Sequence, residues 1–282
     1  MELTGLKIIR PFNTAFIFLL VLFSHSLVVG YFDPNPKAIL AALSISSIAA
    51  AGYSLNDYFD YKIDLKNKPK RPIPNKNISR KGALILSAAL FFLGLLASVF
   101  VNFKVVMTAT VAIISLLLYG IRGHNLGLSG DFLISFLTAL VFIHGAFVAT
   151  DNIPTSITII ATAAFTINMA REIVKDIEDY DADREYKLTL PQKLGKYNSA
   201  ILAMLFLLSN LIITYILIPL YVTGIALLIS LPLALFTLIK ILRIVKSQDA
   251  KTAELSQKFM KILMVMEFVS VLLVKFVIGM DA

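Results

Sequence analysis

Nine long apolar stretches run through this 282-residue chain, and they constrain its fold more than any other feature. A helix that crosses a bilayer needs about 20 mostly apolar residues, because lipid offers no partner to an unsatisfied backbone N–H or C=O. Reading between the polar breaks predicts spans near residues 11–31, 37–58, 81–102, 104–120, 129–150, 153–174, 197–217, 219–240 and 259–279. Composition agrees: 58% of the residues are hydrophobic and 16% are charged, against roughly 25% charged in a soluble domain. The expectation is an all-α integral membrane protein, one polytopic domain over 1–282, with no room for a separate soluble domain. The first run, Phe12 to Phe32, is as long as a span and lacks a small-residue cleavage site near its end, so it is expected to remain as the first helix.

The absence of cysteine excludes disulfides, thiolate nucleophiles and Cys-based zinc sites. Histidine offers little more, since His25, His124 and His144 stand far apart in no ligand-like spacing. Lys and Arg gather in alternate connections, with 8 of the 26 in residues 59–81, while only Lys37, Lys104 and Lys275 fall on the other side. Positively charged short loops stay cytoplasmic. The amino terminus is therefore expected inside the cell membrane and the carboxyl terminus outside. The net charge of +8 reads as this topology signal, with attraction to anionic membrane lipids, and not as nucleic acid binding.

Two cytoplasmic connections, after the second and sixth spans, hold most of the unusual chemistry. The first reads N-D-Y-F-D-Y-K-I-D from Asn56 to Asp64, and the second R-E-I-V-K-D-I-E-D-Y-D-A-D from Arg171 to Asp183. Spacings of three and four align Asp57, Asp60 and Asp64 on one helical face, and Glu172, Asp176, Asp179 and Asp183 on another. Like charges so placed destabilise an isolated helix by about 0.2–0.5 kcal/mol per pair, so a cation is expected to compensate them. Asp57 and Asp176 lie 119 residues apart, which suggests two parallel four-helix repeats plus one further helix.

Carboxylates in this density, with an Asn amide and no thiol or imidazole, are hard oxygen ligands suited to Mg²⁺ shared with substrate phosphates. The cations that could grip a diphosphate are Lys68 and Arg71 in a proline-broken tract, Arg122 in the short loop after the fourth span, and Lys175 beside Asp176. Lys66, Lys76, Arg80 and Lys81 are read as topology signals.

The paired forms N-D-x-x-D-x-x-x-D and D-x-x-D-x-x-x-D, after the second and sixth of nine spans, resemble the UbiA-type intramembrane prenyltransferases over essentially the whole chain. The resemblance implies an all-helical bundle around a central cavity, Mg²⁺ bound between the motifs and prenyl transfer from a polyprenyl diphosphate. It matches Arg71-Pro72 to the family's Arg-Pro, Arg122 to its basic residue after the fourth helix, and Tyr119 to the aromatic position before it. Where many members carry Gly-Asn at the start of the fifth helix, this chain has Gly130-Asp131. The extended wording of both motifs, with Thr189-Leu190-Pro191 downstream, is most similar to the archaeal branch that prenylates geranylgeranylglyceryl phosphate, a lipid glycerol phosphate acceptor, with geranylgeranyl diphosphate.

On this reading Asn56, Asp57, Asp60 and Asp64 form one metal cluster and Asp176, Asp179 and Asp183 the other. Arg71, Arg122, Lys175, Lys68 and Tyr119 line the diphosphate, and Asp60, Asp179, Arg122 and Lys175 carry the catalysis. Glu172 is less secure, since Arg171 or Lys175 can simply pair with it. An aromatic prenyltransferase of quinone synthesis would share the donor site. A secondary transporter would instead place its ionisable groups near the midplane. Glu267, in the middle of the ninth span, is the clear exception here and is expected to make an interhelical hydrogen bond as a neutral carboxyl.

Overall fold

The structure, a computed structural model, describes residues 3–221 and 230–273, and every regular element among them is helical. A short 3-10 helix, Leu3–Ile9, leads into α1 (Pro11–Val29), α2 (Pro36–Phe59), α3 (Tyr61–Asn67), α4 (Arg80–Val99), α5 (Phe103–Leu126), α6 (Leu128–Ala146), α7 (Thr155–Glu178), α8 (Tyr180–Asp183) and α9 (Leu190–Ile212). A π-helical turn, Ile213–Leu217, then joins α9 to α10 (Ile218–Tyr221), and α11 (Leu231–Ser247) and α12 (Ala250–Leu273) follow. Among the described residues seven helices are long and apolar enough to cross a membrane: α1, α2, α4, α5, α6, α7 and α9 with its π turn.

Local chemistry sets the boundaries. Pro36 opens α2 behind Asn35, whose side chain accepts the Ala38 N–H at 3.0 Å, and Ser79 caps α4 by accepting from Gly82 at 2.9 Å. The α1 helix ends at Gly30, where φ of 90° suits a residue without a Cβ. Gly195, at φ 80° and ψ 154°, breaks the polar start of α9 from the apolar run that follows it.

The last two expected spans are shifted. With Pro232 in its first turn, α11 continues to Ser247, past the expected end at 240, and Gln248 closes it in a left-handed conformation. The next helix starts at Ala250 behind Asp249, well before the expected 259, because its polar first turns carry a helix without carrying an apolar signal. Residues 222–229 of the eighth expected span and 274–279 of the ninth lie outside the described residues.

The chain divides into two compact units, Met1–Gly123 with Leu140–Ile153, and His124–Ala139 with Pro154–Ala282. The division falls at the expected junction of the fourth and fifth spans, except that the second half of α6 joins the first unit.

Small residues bring the helices of the first unit into backbone contact, as expected where lipid removes the hydrophobic drive between helices. A Cβ on Gly94 would meet Ser44 O and Ile48 Cγ1 at 2.7 Å, and one on Gly145 would meet Val21 O at 2.6 Å. Hydroxyls add cross-helix bonds: Ser54 donates to Ala83 O at 2.8 Å, Ser87 to Ala51 O at 2.9 Å and Ser24 to Phe142 O at 2.5 Å. His144 is a structural bridge, its buried ring bonded to Thr108 at 2.7 Å and to Ala41 O at 3.1 Å.

The second unit is built on α7. Buried Ile173 and Ile177 pack with Leu207 of α9, Ile241 and Ile244 of α11 and Met260 of α12. Asn210 Nδ2 donates to Ala163 O at 3.0 Å, and Asn168 Nδ2 to Ser135 Oγ at 3.2 Å, fastening α9 and α6 to α7. Glu267, on α12, has no hydrogen-bond partner at Oε1, so the interhelical bond expected for it is absent at that atom.

Candidate active site

The first acidic segment is not one uninterrupted helix. At Asp60 the backbone turns to φ −75° and ψ 2°, ending α2 and starting α3, while the Asp60 N–H still bonds Asn56 O at 2.8 Å and the Asp64 N–H bonds Asp60 O at 2.9 Å. The i, i+4 ladder therefore survives a bend. Asp57, Asp60 and Asp64 are all buried, and Asn56 Nδ2 donates to Asp60 Oδ2 at 3.1 Å.

Two arginines compensate this stripe. The Arg71 N–H bonds Lys68 O at 3.0 Å, and the turn so formed carries the guanidinium back onto the segment, with Nη1 2.7 Å from Asp64 Oδ2 and 3.2 Å from Asp57 Oδ1. Arg10 approaches Asp57 Oδ1 at 3.4 Å while stacking on Tyr53, 4.6 Å from the ring centre. Arg10 is not among the cations expected at the site, because its place before an apolar helix, 47 residues upstream, gives no sign of the contact. Burial pushes the Asp64 carboxyl up from its ordinary range, against the opposing pull of Arg71.

The second segment repeats the device. Asp179 takes φ −84° and ψ 6°, ending α7 and starting α8, with its N–H on Lys175 O at 2.9 Å and the Asp183 N–H on Asp179 O at 2.8 Å. Asp183 is buried, and Asp176 and Asp179 are half-buried. Glu172 receives both neighbouring cations: Arg171 Nη1 bonds Oε1, and Lys175 Nζ bonds Oε2 at 3.0 Å. Lys175, expected at a diphosphate, is thus held by Glu172 in this structure.

Arg122 does not lie in a loop. The α5 helix continues to Leu126 through Gly120 and Gly123, and Arg122 is exposed one turn beyond half-buried Tyr119. Lys68 is half-buried at the end of α3. Asp131, noted in the sequence only as a substitution for Asn, is 8% exposed in the first turn of α6, and its Oδ2 has no hydrogen-bond partner.

Among the described residues no three carboxylates or imidazoles converge closely enough to cage a metal by themselves. The donor set still fits Mg²⁺, which keeps waters, uses one or two carboxylates and completes its shell with substrate phosphate oxygens. The all-oxygen stripes, buried on the first segment and partly buried on the second, are of that kind.

The UbiA prenyltransferase family profile matches residues 13–265. The chain belongs to the UbiA prenyltransferase family. It is a membrane prenyltransferase. The chain is 34% identical over 263 residues to the digeranylgeranylglyceryl phosphate synthase of Thermococcus gammatolerans, covering 93% of this chain and 94% of the relative. A solved structure described as digeranylgeranylglyceryl phosphate synthase is similar with a TM-score of 0.75 and 28% identity, over 95% of this chain and 96% of the other. A UbiA homologue from Archaeoglobus fulgidus bound to GPP and Mg²⁺ shares the fold with a TM-score of 0.66, at 18% identity, over 95% and 99% of the two chains.

Proposed function

We propose that this UbiA family member transfers a geranylgeranyl group from geranylgeranyl diphosphate to geranylgeranylglyceryl phosphate, making the second ether of an archaeal membrane lipid. The observation that carries the acceptor assignment is the likeness, over nearly the whole of both chains, to proteins named for that product. A lipid glycerol phosphate also brings a second phosphate to the site, in keeping with the basic tract around Lys68 and Arg71.

Mg²⁺ is the assigned cofactor, held by Asp57, Asp60 and Asp64 with Asn56 on one segment and by Asp176, Asp179 and Asp183 on the other. When bound it supplies Lewis-acid neutralisation of the diphosphate leaving group. Arg71, Arg122, Lys175, Lys68 and Tyr119 are assigned to the diphosphate, with Arg122 and Lys175 assisting Asp60 and Asp179 in catalysis by stabilising charge as the allylic C–O bond breaks. Arg71 has a second duty, since its bonds to Asp57 and Asp64 hold both carboxylates in position. The acceptor hydroxyl closes the new ether bond, and its proton passes to a carboxylate of the second segment or to the released diphosphate. The amino terminus and both segments are assigned to the cytoplasmic side and the carboxyl terminus to the outside, on the distribution of Lys and Arg.

Purified protein incubated with geranylgeranyl diphosphate and separate panels of glycerol phosphate and phenolic acceptors tests the assignment. The expected product forms from geranylgeranylglyceryl phosphate. Efficient prenylation of 4-hydroxybenzoate, with no product from the glycerol phosphate lipid, would overturn it in favour of an aromatic acceptor.

A further inference from the structure

Asp131 is the buried acid that the proposed mechanism leaves without a task. It lies in the first turn of α6, four residues after Gly127, whose φ of 53° turns the chain out of α5 and on which a Cβ would meet Leu188 O at 3.1 Å. An acid in the first turn of a helix ordinarily needs no explanation, because it faces water and the positive end of the helix dipole. This one is 8% exposed, and its Oδ2 is both buried and without a hydrogen-bond partner. A buried ionised carboxylate left so is costly unless a cation joins it.

Register explains its surroundings. The α6 and α7 helices are consecutive spans joined by a short connection, so they run antiparallel, and the Asn168–Ser135 bond pins them together. One turn back along α6 from Ser135 is Asp131, and one turn on along α7 from Asn168 is Glu172, with Asp176 a turn further. Asp176 and Glu172 are accordingly the acids that act most strongly on Asp131. Among the described residues Lys175 is the cation that acts on it, and that ammonium is already bonded to Glu172 at 3.0 Å. An asparagine could fill the same space, but it would bring no charge.

We infer that Asp131 is an additional carboxylate ligand of the divalent cation at the second acidic segment, acting with Asp176. Two carboxylates suffice for Mg²⁺, whose remaining positions go to water and substrate phosphate. The inference rests on the Mg²⁺ reading above and adds to it a ligand from a helix outside both motifs.

The test is Mn²⁺ binding to the purified full chain, followed by electron paramagnetic resonance, with thermal unfolding recorded in EDTA and in excess Mn²⁺. In Asp131→Asn one class of Mn²⁺ site should weaken by about tenfold or more. The variant should also unfold at the same or a higher temperature than wild type in EDTA, while gaining less stability from Mn²⁺. Asp131→Ser, which also removes the charge, should weaken Mn²⁺ in the same way. Wild-type Mn²⁺ affinity in both variants would overturn the role of Asp131 alone. Failure of the wild-type chain to bind Mn²⁺ would overturn the Mg²⁺ reading, and this inference with it.

Discussion

Arg71 Nη1 lies 2.7 Å from Asp64 Oδ2, and the same nitrogen reaches Asp57 Oδ1 at 3.2 Å, so one guanidinium joins two buried carboxylates seven residues apart in sequence. A group that must release one partner to meet another is a sensitive place to cut. Arg71→Ala should lower kcat by about 10²-fold or more, the usual scale for losing one donor to developing negative charge. Arg71→Lys should recover only part, because an ammonium is a compact point charge without the guanidinium's bidentate grip on phosphate oxygens. Steady-state kinetics with the donor varied checks both, and near-normal turnover in Arg71→Ala would remove this residue from the site.

The bends at Asp60 and Asp179 put these two side chains at equivalent places in their segments. Asp60→Ala and Asp179→Ala should each reduce turnover by several kcal/mol of transition-state stabilisation, on the order of 10³-fold, with the protein still inserted and folded. Full activity after exhaustive EDTA treatment, or in either variant, would count against the carboxylates as metal ligands.

Orientation can be tested apart from catalysis, because the chain has no cysteine to obscure labelling. Single cysteines at Asn77 and Lys187 should react with an impermeant thiol reagent only from the cytoplasmic side. A cysteine at Asp151, whose exposed carboxylate pairs with Lys104 at 3.0 Å, should react only from outside. The opposite pattern would reverse the assigned topology.

Asp249 provides a pH-dependent contribution to stability outside the spans. The Ser247 hydroxyl and the Thr252 N–H donate to its carboxylate and hold it down to about 2, below the ordinary 3.8. A depressed carboxyl stabilises the fold above its unfolded value and loses that effect as pH falls through the folded one. Asp249→Ala should therefore cost about 0.5–1 kcal/mol near neutrality, at the lower end because the group is exposed. The gap in unfolding temperature between variant and wild type should shrink as pH drops from 4 towards 2.

Much of this molecule was legible in the sequence because its strongest signals are physical minima. A span must be long and apolar, so α1, α2, α4, α5, α6 and α7 could be located by hydropathy, whereas α12 begins with Lys251, Thr252 and Glu254 and was placed late. The acidic stripes were visible because i, i+3 and i, i+4 spacing survives the bends at Asp60 and Asp179. The bends themselves were not, since both residues keep their amide bonds and leave no proline or glycine as a mark. Arg10 and Asp131 escaped for a different reason: each matters through a helix distant in sequence, and a lone charge beside an apolar run carries no record of its partner. Arg122 was assigned to a loop because hydropathy falls before the α5 helix ends.

The bends have one more consequence. In each acidic segment the change of direction is confined to a single residue, with ψ near zero between two intact hydrogen bonds. Such a joint separates the anchoring of a carboxylate from its aim. The upstream turn, with Asp57 or Asp176, moves with a helix seated in the bundle. The downstream turn, with Asp64 or Asp183, takes its direction from that one residue, and in the first segment Arg71 braces the joint by holding Asp57 above it and Asp64 below it.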